Sequence, residues 1–176
     1  MGMPEIAIAL ERVATALHRR PDMGMHDDAP ALARWEGGTR ITALHANGES
    51  VTTDMPCELG GEGRSVTPGW LLRAGFAACT ATCIGMAAAA AGIELRSLEV
   101  RARSRSDTRG LLGMAENGGR EVGAGPRDLR MDVRISAPGV PAEKLRALVE
   151  TSYRRSPMAR AVEDANPVDL EITVSD

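Results

Sequence analysis

The sequence predicts one α+β domain, and three observations carry that prediction. A chain of 176 residues is long enough for one real core and short for two. Its helical and strand-like periods come in blocks (helix, strands, helix, strands, helices, strand) and do not alternate as βαβ units. The longest apolar run, Phe76 to Ile93, is Ala-rich and bounded by helix start and stop residues.

From Pro4 to Arg20, Ile6, Leu10, Val13 and Leu17 form a helical stripe with Arg12, Arg19 and Arg20 on other faces. Pro21-Asp22 ends it, and residues 22–30 read as a linker. The period then shortens. Leu32–Trp35, Thr39–His45 and Glu49–Thr53 alternate as short strands, with Gly37-Gly38 and the hairpin signal Asn47-Gly48 as turns, which predicts a β-meander. Residues 56–66 form a glycine-rich loop. Thr67 is a good N-cap, Pro68 fits the first helical position, and Gly92 is a natural end for the helix between them. Apolar residues lie on nearly every face of that helix, so it is expected to be buried all round, in the middle of the fold or at a subunit interface.

Leu98–Arg103 alternates strictly as a strand with one wet face. Gly110–Gly125 reads as a long polar loop, and Leu129–Ile135 as another strand. Pro141 opens a helix carrying Leu145, Leu148 and Val149. Ser156-Pro157 breaks it, a short helix runs to Ala165, and Asn166-Pro167 leads into a last strand, Val168–Val174.

Composition narrows the function. The aromatic fraction is 2%, represented by Trp35, Trp70, Phe76 and Tyr153, which leaves little for a base-stacking surface. A net charge of −3, with arginines dispersed along the chain, gives no field for nucleic acid. Residues 1–20 mix acids and arginines with apolar residues, so no signal-peptide core is expected, and the Ala-rich run reads as a buried helix rather than a membrane span. The expectation is a soluble, cytoplasmic protein with no membrane partner. Three cysteines with no C-x-x-C spacing point to reduced thiols, not a disulfide framework or a zinc site. His26, Asp27 and Asp28 are adjacent, but neighbours on a flexible loop rarely converge on one ion. The loop 56–66 lacks the Lys-Ser/Thr ending of a phosphate-binding loop and the spacing of a dinucleotide fingerprint. Neither metal nor cofactor is expected.

Cys79 is the residue equipped for chemistry, although a cysteine in an Ala-rich helix can equally serve as small packing. Reactivity needs exposure and something, typically an arginine, to favour the thiolate, because the helix dipole offers little at mid-helix. Trp70 and Phe76 either line an apolar pocket beside it or belong to the core.

The stretch Glu58-Leu59-Gly60-Gly61-Glu62-Gly63, then Thr67-Pro68, then Ala77-Ala78-Cys79-Thr80-Ala81, resembles the signature region of the OsmC/Ohr family. The likeness continues through G-I-x-L-x-x-L-x-V at Gly92–Val100, the segment Arg130–Pro138, and a Ser-Pro before the last helix and strand. It covers residues 31–176 as one OsmC-like domain and leaves residues 1–30 as an additional N-terminal helix and linker. The resemblance implies an intertwined homodimer with central buried helices packed against antiparallel sheets and active sites at the subunit interface. It implies a thiol-dependent peroxidase for organic hydroperoxides or hydrogen peroxide, in which the helix cysteine becomes a sulfenic acid. A Cys-Pro cysteine then resolves it as a disulfide that a dithiol opens. A strand arginine and a loop glutamate orient the site.

Carried over, Cys79 falls on the peroxidatic cysteine and Arg40 on the strand arginine, with Arg34 as the alternative register. The resolving position is Ser156 and the glutamate position is Gly69, so two of the functional parts have changed. A serine hydroxyl has essentially no anion at neutral pH and cannot form the disulfide. Cys83 lies one turn from Cys79, about 6 Å away on a rigid helix, too far for a disulfide without unwinding. Cys57, in the loop, could move to act as a resolving thiol or serve no role. The expected function is a peroxidase with one peroxidatic cysteine, regenerated by an external thiol. The rival is a catalytically degenerate dimer that binds a small apolar ligand or senses redox state.

Overall fold

The computed structural model describes residues 2–164 and 166–174. Helix α1 spans Met3–Arg19, with the Glu5 carboxylate accepting from the Gly2 amide at its start. A 3₁₀ turn at Pro21–Gly24 follows, then β1 (Leu32–Trp35), β2 (Ile41–Leu44) and β3 (Ser50–Thr53). These pair in the order β1-β2-β3, antiparallel, with Trp35 opposite Ile41 and Ile41 opposite Thr53. The meander read from Asn47-Gly48 is therefore present, with Gly48 at φ +95°.

The loop from 54 to 66 is folded around one carboxylate. Asp54 is 2% exposed and accepts from the Thr39 hydroxyl (2.5 Å) and from the amides of Met55 and Glu62 (both 2.8 Å). Its amide donates to the Val66 carbonyl at 3.0 Å, which returns the chain to the meander. At Gly61 a Cβ would lie 1.8 Å from the Met55 carbonyl oxygen, so glycine is obligatory there. The glycine-rich character of the loop is thus what lets it close on Asp54.

Helix α2 (Pro68–Ala90) starts as expected, with the Thr67 hydroxyl accepting from the Trp70 amide, and ends with Gly92 at φ +63°. The amide of Ile93 reaches back to the Ala88 carbonyl. By length and composition α2 could cross a membrane; here it packs on β4, α1, α4 and α5. Within the single chain, burial is one-sided. Phe76, Thr80, Ile84 and Ala88 form a buried stripe, while Leu72, Thr82, Met86 and Ala90 on the opposite side are exposed. The helix is apolar on both faces, and the folded chain covers one.

Strands β4 (Ser97–Arg105) and β5 (Arg127–Ser136) form a two-stranded antiparallel sheet, with a register shift between Arg103 and Arg105. Leu98, Val100 and Ala102 face α2, and the alternation predicted for both strands is observed. A short helix, α3 (Thr108–Leu111), capped by Asp107, runs into the start of the polar loop read at Gly110–Gly125. Helices α4 (Ala142–Arg154) and α5 (Pro157–Glu163) follow. The predicted helix end at Ala165 lies outside the described residues. The predicted strand Val168–Val174 is not formed: the segment pairs with no strand, and its apolar residues stand in solvent, Leu170 at 81% and Ile172 at 75% exposed. An alternating segment becomes a strand only on a sheet edge, and this one joins neither described sheet.

Ile84 is completely buried at the centre of the α2 stripe. Ile84→Ala is expected to cost about 2–5 kcal/mol in a urea unfolding curve. Hydrogen bonds from Thr39 and from the Glu62 amide hold the Asp54 carboxyl below its ordinary 3.8, with burial opposing them. A lowered folded value stabilises the chain above the unfolded value and is lost as pH falls through the folded one. Asp54→Asn should therefore melt lower than the native chain at pH 7 and lose less on acidification below about pH 4; equal pH slopes would contradict this.

Candidate active site

Cys79 sits at mid-α2, half-buried, one turn beyond the buried Phe76. The Phe76 ring meets that of Tyr153 near the end of α4, centroids 6.3 Å apart and tilted 50°. The Tyr153 hydroxyl donates to Glu163 at 2.6 Å, and the Arg160 guanidinium pairs with Glu163 and with Asp164. These contacts fold α5 back against the end of α4 and fix the corner Arg155-Ser156 between them.

That corner delivers Ser156 to Cys79. Ser156 is 0% exposed, and its hydroxyl donates to the Cys79 Sγ at 3.3 Å. Its amide donates to the Tyr153 carbonyl and its carbonyl accepts from the Arg160 amide, so its backbone is held on both sides. Cys83 lies one turn further along α2 and is half-buried. Burial pushes its thiol up, the charge of Cys79 and the hydrogen bond to it add to this, and Ser156 opposes them. The neighbouring hydroxyls are otherwise engaged: Thr80 donates to the Phe76 carbonyl (3.0 Å) and Ser152 to the Leu148 carbonyl (2.7 Å).

Cys83 also lines an open cavity of about 300 Å³ with Leu10, Met86, Ala87, Ala90 and Arg155. The N-terminal helix α1 thus contributes a wall beside the thiols.

Arg40 is exposed at the entrance to β2, in a meander that is not among the elements packed on α2, and Arg34 is exposed in β1. Within the chain neither arginine is brought to Cys79. Gly69 is exposed in the first turn of α2, with Arg73 as its neighbour, and the Arg73 guanidinium donates to Ser104. Cys57 is exposed in the 3₁₀ turn Cys57–Leu59, close to Gly63. Phe76 belongs to the core, and Trp70 is exposed. Among the described residues no group of three or more His, Cys, Asp or Glu is placed to hold a metal ion. Sequence reasoning placed Cys83 one turn from Cys79 but missed the cavity that Cys83 lines with Leu10 and Arg155, for which spacing along the chain carries no signal.

The 3.3 Å contact makes a prediction. A sulfur at position 156 needs only a small rotation to reach a bond of about 2.05 Å with Cys79. Oxidised Ser156→Cys protein should lose two thiols per chain and gain a disulfide between positions 79 and 156, seen by thiol titration and peptide mass.

The family model for OsmC-like protein matches residues 61–171. No curated protein sequence matches the chain. Among solved structures, an OsmC-like protein from Mycoplasma pneumoniae aligns at TM-score 0.64 and 18% identity, over 79% of this chain and 89% of that one. An organic hydroperoxide resistance protein from Elizabethkingia anophelis, with thiocyanate bound, aligns at 0.57 and 22%, over 80% and 91%. An organic hydroperoxide resistance protein from Legionella pneumophila aligns at 0.53 and 23%, over 78% and 92%. At these identities the likeness is one of fold.

Proposed function

The chain belongs to the OsmC-like protein family, and from that premise we propose that it is a thiol-dependent peroxidase in which Cys79 reduces an organic or hydrogen peroxide. One observation carries the reading. Cys79 and Ser156, 77 positions apart in sequence, meet at 3.3 Å, and they are the two positions where the family resemblance puts the peroxidatic and resolving cysteines. The organic hydroperoxide resistance proteins among the similar folds support a peroxide-linked redox role.

In this reading the Cys79 thiolate attacks one peroxide oxygen. The S–O bond forms as the O–O bond breaks, and the alkoxide or hydroxide leaves and takes a proton from water. The sulfenic acid left on Cys79 has a hydroxyl, not a thiol, at position 156. An external thiol therefore condenses with it, releasing water, and a second thiol displaces the mixed disulfide to restore Cys79. Free cysteines suit a reducing compartment, and the cytoplasm is the proposed location.

The working form is a homodimer. Three features support it: the uncovered apolar face of α2, the unpaired alternating segment 168–174, and a meander that leaves α2 alone within its own chain. A second copy would cover the first, offer an edge to the second and bring its own Arg40 towards Cys79, where a guanidinium favours the thiolate. A second reading, binding of a small apolar ligand, draws support from the cavity beside Cys83.

Purified protein treated with a small excess of cumene hydroperoxide should lose the Cys79 thiol and gain one oxygen by intact mass, with Cys79→Ser as the control. Excess thiol should then restore the starting mass. Arg40→Ala should slow the loss about tenfold, and light scattering should give twice the chain mass. Long exposure that leaves Cys79 untouched would sink the peroxidase reading and favour the binder.

A further inference from the structure

We propose that Ser156 is a positioning residue for the reacting sulfur: a buried hydroxyl that donates to Cys79 and holds it ready for attack. The inference deepens the peroxidase reading and rests on it for the reaction. The contact itself stands on geometry.

The first observation is where the Ser156 hydroxyl goes. Ser156 is the N-cap residue of α5, and serine is among the best N-caps because its oxygen accepts from an orphan amide of the first turn. Here the side chain makes no cap bond. It turns into the protein and donates to the Cys79 Sγ. A fully buried hydroxyl that forgoes the cap beside it is committed to its other partner.

The second observation is the inventory of protons. A hydroxyl has one proton, and that of Ser156 is directed to Cys79. The Ser156 backbone is held on both sides, its amide donating to the Tyr153 carbonyl and its carbonyl accepting from the Arg160 amide, so the α4–α5 corner aims that proton at the sulfur.

The arrangement offsets what the sequence has lost. The loop carboxylate is absent at Gly69, and Arg40 and Arg34 stand exposed in the meander. Hydrogen bonds to an anion favour it and fix its rotamer as a charge would. In the peroxide step the electron pair of the Cys79 thiolate forms the S–O bond, the O–O bond breaks, and the leaving oxygen takes its proton from water. Ser156 loses nothing and serves the next cycle.

The test is made on the full chain, with Cys79 followed by peptide mass. Two rates are measured: loss of its thiol to cumene hydroperoxide, and its alkylation by iodoacetamide at neutral pH, which needs no peroxide chemistry. Ser156→Ala should slow both rates about tenfold, the loss of one charge-assisted hydrogen bond. Ser156→Thr, which keeps the hydroxyl, should stay within about threefold of the native chain on the same scale. Circular dichroism confirms that each variant is folded, and should either fail to fold, Ser156→Gly, which also lacks the donor, decides against the native chain. Native rates of alkylation in Ser156→Ala or Ser156→Gly, or equal losses in Ser156→Ala and Ser156→Thr, would overturn the inference. A native chain whose Cys79 resists peroxide yet shows the expected alkylation pattern would overturn the peroxidase reading and leave the Ser156 donor in place.

Discussion

Everything at the candidate site depends on the packing of the α4–α5 corner against one turn of α2. The Phe76–Tyr153 ring contact sets the distance between the two elements, and the pairing of Glu163 with Tyr153 and Arg160 sets the angle of the corner. Ser156 then has little freedom, because its backbone is bonded on both sides and its surroundings exclude water. A buried hydroxyl without a partner is costly. The position of Cys79 is therefore a structural requirement of the corner as well as a chemical one.

Much of the fold was legible because local signals agreed with one another. Thr67-Pro68 and Gly92 bounded α2, Asn47-Gly48 placed a hairpin, and strict alternation marked β4 and β5. The strand expected at 168–174 was inferred from apolar alternation alone and is not formed. Pattern reports that a face seeks cover; it does not report whether the same chain supplies it, and the half-covered α2 makes the same point. The 56–66 loop was legible as glycine-rich, but not the reason for its glycines: they answer to Asp54, a residue whose burial no periodicity reveals.

The site was legible in part for the same reason. Cys79 and the changed positions Ser156 and Gly69 are visible through the family resemblance, since each is defined by spacing along the chain. The approach of the Ser156 hydroxyl to the Cys79 sulfur is set by the α4–α5 corner, a tertiary feature that spacing does not encode. The contribution of Leu10 to the neighbouring cavity is further still from the signature, in a helix that the family model does not reach.

The two changed positions are better understood together than singly. A loop carboxylate and a strand arginine make an ionic frame whose strength depends on both members, and one without the other leaves an unpaired charge near a desolvated sulfur. With glycine at position 69 the carboxylate half of that frame is missing, and a neutral donor can orient the sulfur without adding charge. A serine at position 156 suits that task, being small, buried without ionising, and aimed by a backbone fixed at both ends. The consequence reaches regeneration. In the proposed peroxidase a hydroxyl at position 156 cannot form the disulfide, so the oxidised sulfur would have to stay open to an outside thiol. The half-exposed setting of Cys79, beside the open cavity that Cys83 lines, is compatible with such access.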